Sequence, residues 1–158
     1  MMEYEFGDKL LVIKPEVVRL FQSYRQIALQ QHEAGGILLG RLYGNEKVVI
    51  EQVSVPSRVD KSGRFFFDRN VKKAQQLVNQ AWEDSNGEIR YLGEWHTHPE
   101  SDPKPSSVDR KLLRDMLKDT KMDIDYLFLI IVGIERLYVA SQHRGKGLQR
   151  LNEKYNST

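Results

Sequence analysis

The sequence predicts an α/β protein with a single mixed β-sheet flanked by helices. Three observations support this: β-rich segments alternate with segments of helical period, 158 residues suffice for one domain, and no repeat or linker divides them. The composition, 40% hydrophobic and 29% charged, is typical of a folded protein. We therefore expect one domain over residues 1–143 and a polar, flexible C-terminal tail over residues 144–158.

Four elements are predicted in the first half of the chain, in the order β-α-β-β. An apolar run before Pro15 is a strand, and Pro15 suits the first turn of a helix whose apolar residues recur at helical spacing. Gly44-Asn45 is a strong hairpin signal between two β-rich runs. The elements are the strand Lys9–Lys14, a helix from Pro15 to before Gly35-Gly36, and the strands Ile37–Tyr43 and Lys47–Val55.

Beyond a polar loop over residues 56–64, the order continues as α-β-α-β-β. Asp68 is placed to cap the first of these helices, and Ser106 with Asp109 forms a capping-box-like start for the second. The strands are Ile89–Thr97, Tyr126–Val132 and Arg136–Ser141. In strand Ile89–Thr97, regular alternation places Tyr91 and Glu94 on opposite faces.

The composition bears on several classes of function. The chain has no cysteine, so disulfides, thiolate nucleophiles and the cysteine-ligated zinc of nucleobase deaminases do not fit. The net charge of +2 does not by itself indicate a nucleic-acid partner, which normally shows as a clustered basic face. The chain begins without a secretory signal, and its longest apolar run, Leu127–Ile134, is far below the ~20 residues of a membrane span. We expect a cytoplasmic protein with neither nucleic-acid nor membrane partners.

One set of residues indicates metal chemistry. His96 and His98 stand two residues apart at the end of a predicted strand, so both side chains point to the same face. The loop that follows can bring Asp109 back as a third ligand. Three ligands of this kind leave a fourth tetrahedral position for water, as in catalytic zinc sites. Glu33 is the candidate base for the proton of that water, and Ser106 is the candidate hydrogen-bond donor to the oxyanion.

This spacing resembles the signature of the JAMM (MPN-plus) metalloproteases: a distant Glu, then His-Ser/Thr-His-Pro, then Ser-x-x-Asp, with seven residues between the second His and the Ser. The matching segments are Glu33-Ala34-Gly35-Gly36, His96-Thr97-His98-Pro99 and Ser106-Ser107-Val108-Asp109. The resemblance covers roughly residues 8–143 and implies the JAMM/MPN fold, a cytidine-deaminase-like architecture. It also implies Zn²⁺ bound by His96, His98 and Asp109, with Glu33 as acid/base and Ser106 as a second catalytic residue.

Within that family the chain looks most like the small bacterial members encoded beside E1/E2-type conjugation proteins, above all the deconjugating peptidases of CBASS anti-phage operons. This implies a zinc isopeptidase that hydrolyses the amide bond after the C-terminus of a conjugated ubiquitin-like or nucleotidyltransferase protein, and so reverses E1/E2-type conjugation in antiviral defence. The implied partners are a protein substrate with an extended C-terminal tail and an E1/E2-like protein of the same operon. The alternatives are a peptidase that processes a sulfur-carrier protein adduct and a non-catalytic MPN scaffold.

Two further segments are candidates for substrate binding. Glu94 and Trp95 precede the first histidine, and Trp95 points away from His96 in a strand, which favours a core position. Glu94 lies on the same side as the histidines. The run Phe65-Phe66-Phe67 is most simply a buried edge, with an exposed aromatic groove for substrate as the alternative.

Overall fold

The computed structural model describes residues 1–119 and 122–155. Its helices are α1 (Pro15–Ser23), α2 (Val71–Asp84) and α3 (Ser107–Met116). Its strands are β1 (Met2–Phe6), β2 (Lys9–Ile13), β3 (Gly35–Tyr43), β4 (Lys47–Val53), β5 (Lys61–Gly63), β6 (Phe66–Asp68), β7 (Arg90–Thr97), β8 (Tyr126–Val132), β9 (Leu137–His143) and β10 (Leu148–Arg150). Within these residues, no helix combines the length and the apolarity that crossing a membrane requires.

Eight of these strands form one mixed sheet, in the order β1-β2-β4-β3-β7-β8-β9-β10. The pairs β2–β4 and β7–β8 are parallel, and the other neighbours are antiparallel. Strands β5 and β6 form a separate two-stranded hairpin. The predicted fold class, a mixed sheet flanked by helices, is therefore confirmed.

Helices cover both faces of the sheet. Strand β8 shows this, because all seven of its residues are buried and alternate ones belong to different cores. Phe128 and Ile130 pack in the core beneath α1, which contributes Val17 and Phe21. Leu129 faces the opposite side, where α3 contributes Leu113. Burial on both faces explains why this strand reads as a continuous apolar run in the sequence.

Strand β7 contains a β-bulge that changes which side chains share a face. Tyr91 and Gly93 both pair with β3, whereas Leu92 between them has no partner there. Leu92 consequently packs with Trp95 in the core beneath α1, and Tyr91 donates a hydrogen bond to Glu94 on the other face. The prediction that Tyr91 and Glu94 lie on opposite faces was wrong, because regular alternation does not continue across a bulge.

Gly93 is required by this bulge. Its φ is 139°, a conformation that L side chains rarely adopt, and an added Cβ would lie 1.9 Å from the carbonyl oxygen of Phe128. We expect Gly93→Ala to lower the free energy of unfolding by about 3 kcal/mol, measured by urea denaturation. Gly147→Ala is the control, because no atom lies within 4 Å of its added Cβ. Equal stability of the two variants would contradict this explanation of the bulge.

Helix α1 is shorter than predicted. It ends at Ser23 instead of continuing to Gly35, and residues 24–34 form irregular structure. Two apolar residues beyond its end, Ile27 and Leu29, are 71% and 82% exposed, so a longer helix would have had no core to face. Gln26, by contrast, is buried, and its side chain makes hydrogen bonds that lie at the site described below.

The N-cap of α2 also differs from the prediction. Asn70 caps the helix, and its Oδ1 accepts a hydrogen bond of 2.9 Å from the backbone N–H of Lys73. Asp68, the predicted cap, is the last residue of β6. The loop predicted over residues 56–64 contains β5, and the strand β1 is an addition at the N-terminal side of the sheet.

The segment predicted to be a flexible tail contributes a strand to the sheet. Strand β10 pairs antiparallel with β9, from Leu148 opposite Gln142 to Arg150 opposite Ala140. Leu151 then packs against the core beneath α1, which gives the polar segment an apolar anchor. Residues 156–158 lie outside the described residues, and the boundary at residue 143 stays a prediction.

Candidate active site

The structure brings the five residues of the motif into one cleft of about 630 Å³. His96 Nε2 lies 2.9 Å from Asp109 Oδ1, and His98 Nε2 lies 3.5 Å from Asp109 Oδ2. Glu33 Oε1 lies 3.8 Å from His98 Nε2. Ser106 lines the same cleft. The chemistry-bearing groups therefore converge from three separate parts of the chain.

The end of β7 positions the two histidines. His96 pairs with Gly35 of β3 and with Ile131 of β8, so its backbone is held from both sides. The backbone N–H of His98 donates to the carbonyl of Val132 at 3.0 Å. Because alternate residues share a face, both imidazoles point into the cleft, with ring centroids 4.9 Å apart.

The segment that carries Glu33 is fixed by buried hydrogen bonds. The hydroxyl of Thr97, the residue between the histidines, accepts from the N–H of Ala34 at 2.9 Å and donates to Gln26 Oε1 at 2.8 Å. Gln26 Nε2 then donates to the carbonyl of Arg64 in the β5–β6 turn at 2.9 Å. One buried amide thus connects the histidine strand, the Glu33 segment and the hairpin, which explains why the chain leaves the helix before Gln26.

The start of α3 positions Asp109 and Ser106. Ser106 is the N-cap, and its hydroxyl accepts from the N–H of Asp109 at 3.2 Å. Asp109 Oδ2 in return accepts from the N–H of Ser106 at 2.8 Å, which completes a capping box. This box holds the Asp109 carboxylate against the imidazoles and leaves the hydroxyl proton of Ser106 free to donate.

The donor set fits a divalent metal such as zinc. His96 Nε2 is buried and makes no hydrogen bond in the described part of the chain, although Asp109 Oδ1 is 2.9 Å away. Ligand atoms at about 2.0–2.1 Å from a tetrahedral zinc are about 3.3 Å apart, close to the 3.5 Å between His98 Nε2 and Asp109 Oδ2. The other nitrogen of His98, Nδ1, lies 3.1 Å from Glu100 Oε1, a contact that orients the ring.

Distance alone also groups Glu33 with the two histidines, since one ligand atom from each lies within 4.8 Å of the others. Asp109 is not in that group, although its oxygens lie 2.9 Å from His96 Nε2 and 3.5 Å from His98 Nε2, nearer than the 3.8 Å between Glu33 Oε1 and His98 Nε2. The carboxylate of Glu33 lies in the same cleft beside these groups.

The two carboxyl groups of the cleft, Glu33 and Asp109, have pKa shifts in opposite directions. Burial raises the pKa of Glu33 to about 7, with the charge of His96 opposing the shift and that of Asp109 adding to it. Burial is the largest influence on the pKa of Asp109 and acts to raise it. The adjacent His96, the backbone N–H of Ser106 and His98 together outweigh burial, so the pKa of Asp109 is lowered. Burial, followed by the neighbouring His96, lowers the pKa of His98 and favours the neutral imidazole that binds metals. A carboxyl group with a pKa near neutrality can both take up and release a proton, whereas Asp109 stays anionic.

The two candidates for substrate binding, Glu94 and Trp95, are not among the residues that line the cleft. Trp95 is buried beneath α1, where its ring centroid lies 5.0 Å from that of Phe21, so its core position is confirmed. Glu94 is buried too, and its carboxylate accepts from Arg69 Nε at 2.6 Å and from the hydroxyl of Tyr91. Sequence reasoning missed both partners of Glu94, because neither the bulge nor the long-range contact with Arg69 leaves a local sequence signal.

The aromatic run lies at the rim of the cleft. Phe65 and Phe66 line it and are 75% and 54% exposed, so the prediction of a buried edge was wrong. Neither ring belongs to any of the three hydrophobic cores of the described residues. Val108, the exposed residue just before Asp109, also lines the cleft. The cleft therefore has an apolar rim around a polar centre, the usual anatomy of a ligand site.

The fold and the cleft together define a mixed-sheet α/β domain with a His–carboxylate centre at the end of one strand. The family described as prokaryotic homologues of the JAB domain matches residues 18–144, and the chain belongs to that family. A solved protein of Desulfitobacterium hafniense, 22% identical over 89% of this chain and 88% of its own, superposes with a TM-score of 0.57 and shares the fold.

Three similar relatives carry the name CD-NTase/cGAS isopeptidase. The Pseudomonas aeruginosa relative is 36% identical, with 82% of this chain and 81% of the relative covered. The Escherichia coli relative is 37% identical, with 85% of this chain and 83% of the relative covered. The Vibrio cholerae relative is 38% identical, with 87% of this chain and 85% of the relative covered. Family and relatives together support a JAB-type isopeptidase, a hydrolase.

Proposed function

We propose that this protein is a zinc-dependent isopeptidase that hydrolyses the amide bond after the C-terminus of a conjugated CD-NTase-type nucleotidyltransferase. The observation that carries the proposal is the convergence of Glu33, His96, His98 and Asp109 in one cleft. The names of the similar relatives supply the substrate class. Such an enzyme would reverse E1/E2-type conjugation in bacterial antiviral defence and act in the cytoplasm.

The residues of the cleft divide the chemistry between them. His96, His98 and Asp109 would hold the zinc ion, which when bound supplies Lewis acidity and lowers the pKa of water. Glu33 takes a proton from the attacking water and delivers it to the departing amine. Ser106 donates a hydrogen bond to the oxygen of the attacked carbonyl as negative charge develops on it. The amide C–N bond breaks, the carbonyl carbon gains the hydroxyl of water, and the amine gains its proton.

The rim of the cleft suits an extended substrate tail. Within the described residues, β5 and β6 pair only with each other as strands, and the carbonyl of Gly63 in β5 accepts a hydrogen bond of 2.7 Å from the backbone N–H of Glu33. Strand β6, whose residues line the cleft, has no described strand on its other side and offers an edge there. An extended C-terminal segment can add to such an edge through main-chain hydrogen bonds, and the exposed rings of Phe65 and Phe66 can contact its apolar side chains. Main-chain pairing of this kind orients the scissile amide without demanding one sequence.

Two fusion substrates distinguish this proposal from its alternatives. The first joins a CD-NTase through its C-terminus to a fluorescent protein, and the second joins a sulfur-carrier protein in the same way. We expect cleavage of the first only, with loss of activity on chelation and recovery on addition of zinc. Cleavage of the second alone would favour the sulfur-carrier role, and zinc binding without cleavage of either would favour a scaffold.

Ser106 offers a test of the oxyanion role. Ser106→Ala removes an N-cap and the proposed donor, so we expect about 1 kcal/mol less stability and about 10²-fold slower turnover. Asn70→Ala is the matched control, because Asn70 caps α2 in the same manner outside the cleft. It should cost similar stability and leave turnover unchanged. Denaturation and the fusion assay measure the two effects, and equal turnover of both variants would restrict Ser106 to capping.

A further inference from the structure

A second concave surface lies on the molecule apart from the cleft, between α3 and the β9–β10 turn. This groove, of about 710 Å³, is lined by five basic side chains and by no acidic one among the described residues. They are Arg110, Arg114, Lys118, Arg144 and Lys146. The whole chain has nearly equal numbers of basic and acidic residues, 24 and 22. The lining of this groove therefore differs from the rest of the chain in carrying positive charges alone.

The geometry of α3 creates the basic wall. Arg110, Arg114 and Lys118 follow one another at four-residue spacing, next to the buried stripe of Asp109, Leu113 and Leu117. Like charges four residues apart on a helix repel one another, an arrangement that costs stability. Only Lys118 has a partner, Asp115 Oδ1 at 3.5 Å, whereas Arg110 and Arg114 form no ion pair within the described residues. An anionic ligand would offset this repulsion.

The other wall is held in place. Arg144 Nε donates to the carbonyl of Leu117 at 2.7 Å and Nη2 donates to that of Asp119 at 3.2 Å, which ties the β9–β10 turn to the end of α3. Gln142 Nε2 donates to the carbonyl of Lys146 at 2.9 Å and fixes the turn from within. The exposed ammonium of Lys146 thus faces the helix cations across a preformed groove.

The floor of the groove is apolar, with Leu117 and Leu148 as lining residues. We infer that this groove is a docking surface for an acidic, partly apolar segment of a partner protein. Guanidinium groups bind carboxylates with two parallel hydrogen bonds, and the leucine floor accepts an aliphatic side chain between the carboxylates. A nucleic acid has phosphates but no aliphatic side chain for this floor, and its partners present broader basic faces.

The test uses a capped peptide of sequence Glu-Glu-Leu-Glu-Glu-Leu, its Gln-for-Glu counterpart and a single-stranded DNA, each titrated into ¹⁵N-labelled protein at low salt. We expect the Glu peptide to bind and to shift amide signals of α3 and the β9–β10 turn, and the Gln peptide to bind about tenfold more weakly. The double variant Arg114→Glu/Lys146→Glu should weaken binding of the Glu peptide about tenfold. Lys72→Glu/Lys73→Glu, an equal charge change on exposed residues of α2, should weaken it less than about twofold.

Three outcomes overturn the inference: no binding of the Glu peptide, equal weakening by the two double variants, and tighter binding of the DNA than of the peptide in the same groove. Arg114→Gln/Lys146→Gln serves as a second variant that removes the charges without reversing them. The groove and the cleft have no lining residue in common, so binding at the groove is measurable whether or not the protein cleaves a conjugate.

Discussion

Glu33→Gln is expected to reduce turnover by about 10³-fold while the protein keeps its zinc. The amide has the size of the carboxyl group but neither takes up nor delivers a proton at neutral pH, so both proton transfers lose their carrier. The metal should remain, because the proposed ligands are His96, His98 and Asp109. The measurements are the rate of fusion cleavage and the zinc content of the purified variant by atomic emission.

The position of Glu33 makes this variant informative. Its carboxylate lies 3.8 Å from His98 Nε2, near enough that distance alone would also allow it to be a ligand. Loss of zinc in Glu33→Gln would show that Glu33 is a zinc ligand. Retained turnover would show that Glu33 is not the general base. Glu88→Gln is the matched control, since Glu88 is exposed and pairs with Arg41 away from the cleft. This control should leave both rate and zinc content unchanged.

Asp109→Asn is expected to weaken zinc binding on the order of 10³-fold and to abolish turnover at ordinary zinc concentrations. The asparagine oxygen can still accept from the N–H of Ser106, so the capping box loses little and the fold should persist. What disappears is the negative charge that the two imidazoles face at 2.9 and 3.5 Å. Competition with a chromogenic chelator measures the affinity.

The control for this variant lies on the same helix. Asp115→Asn removes an equal charge from the exposed side of α3, where Asp115 pairs with Lys118, and should change zinc affinity less than about twofold. Thermal unfolding of both variants checks that the fold is retained. If Asp109→Asn binds zinc as tightly as the wild type, another group completes the site, and Glu33 is the nearest candidate.

The sequence predicted the centre of the site because its spacing rules are local. His96 and His98 are two residues apart on a strand, so their side chains lie on the same face. Ser106 is the N-cap of α3 and Asp109 is at N3, a spacing that predicts a capping box. The convergence of Glu33 on the histidines came from family resemblance. The structure accounts for it through the pairing of Gly35 with His96, a long-range contact that no local pattern encodes.

The surroundings of the site were predicted less well, for a physical reason. Tyr91 was predicted on the wrong face of β7, because one unpaired residue, Leu92, interrupts the alternation of side chains along this strand. Phe65 and Phe66 were expected to be buried because aromatic runs usually are, but the β5–β6 hairpin exposes both rings at the rim of the cleft. Both errors concern features that depend on tertiary contacts.

We propose that water, under the control of Glu33 and a bound zinc ion, cleaves one amide bond after a protein C-terminus. Intact-protein mass spectrometry of the CD-NTase fusion, cleaved in H₂¹⁸O by zinc-loaded enzyme, tests this most directly. Hydrolysis predicts two products from a single cut at the junction, with one ¹⁸O in the new carboxylate and none in the released amine fragment. An uncut fusion, or cuts within the folded proteins instead of at the junction, would contradict the claim.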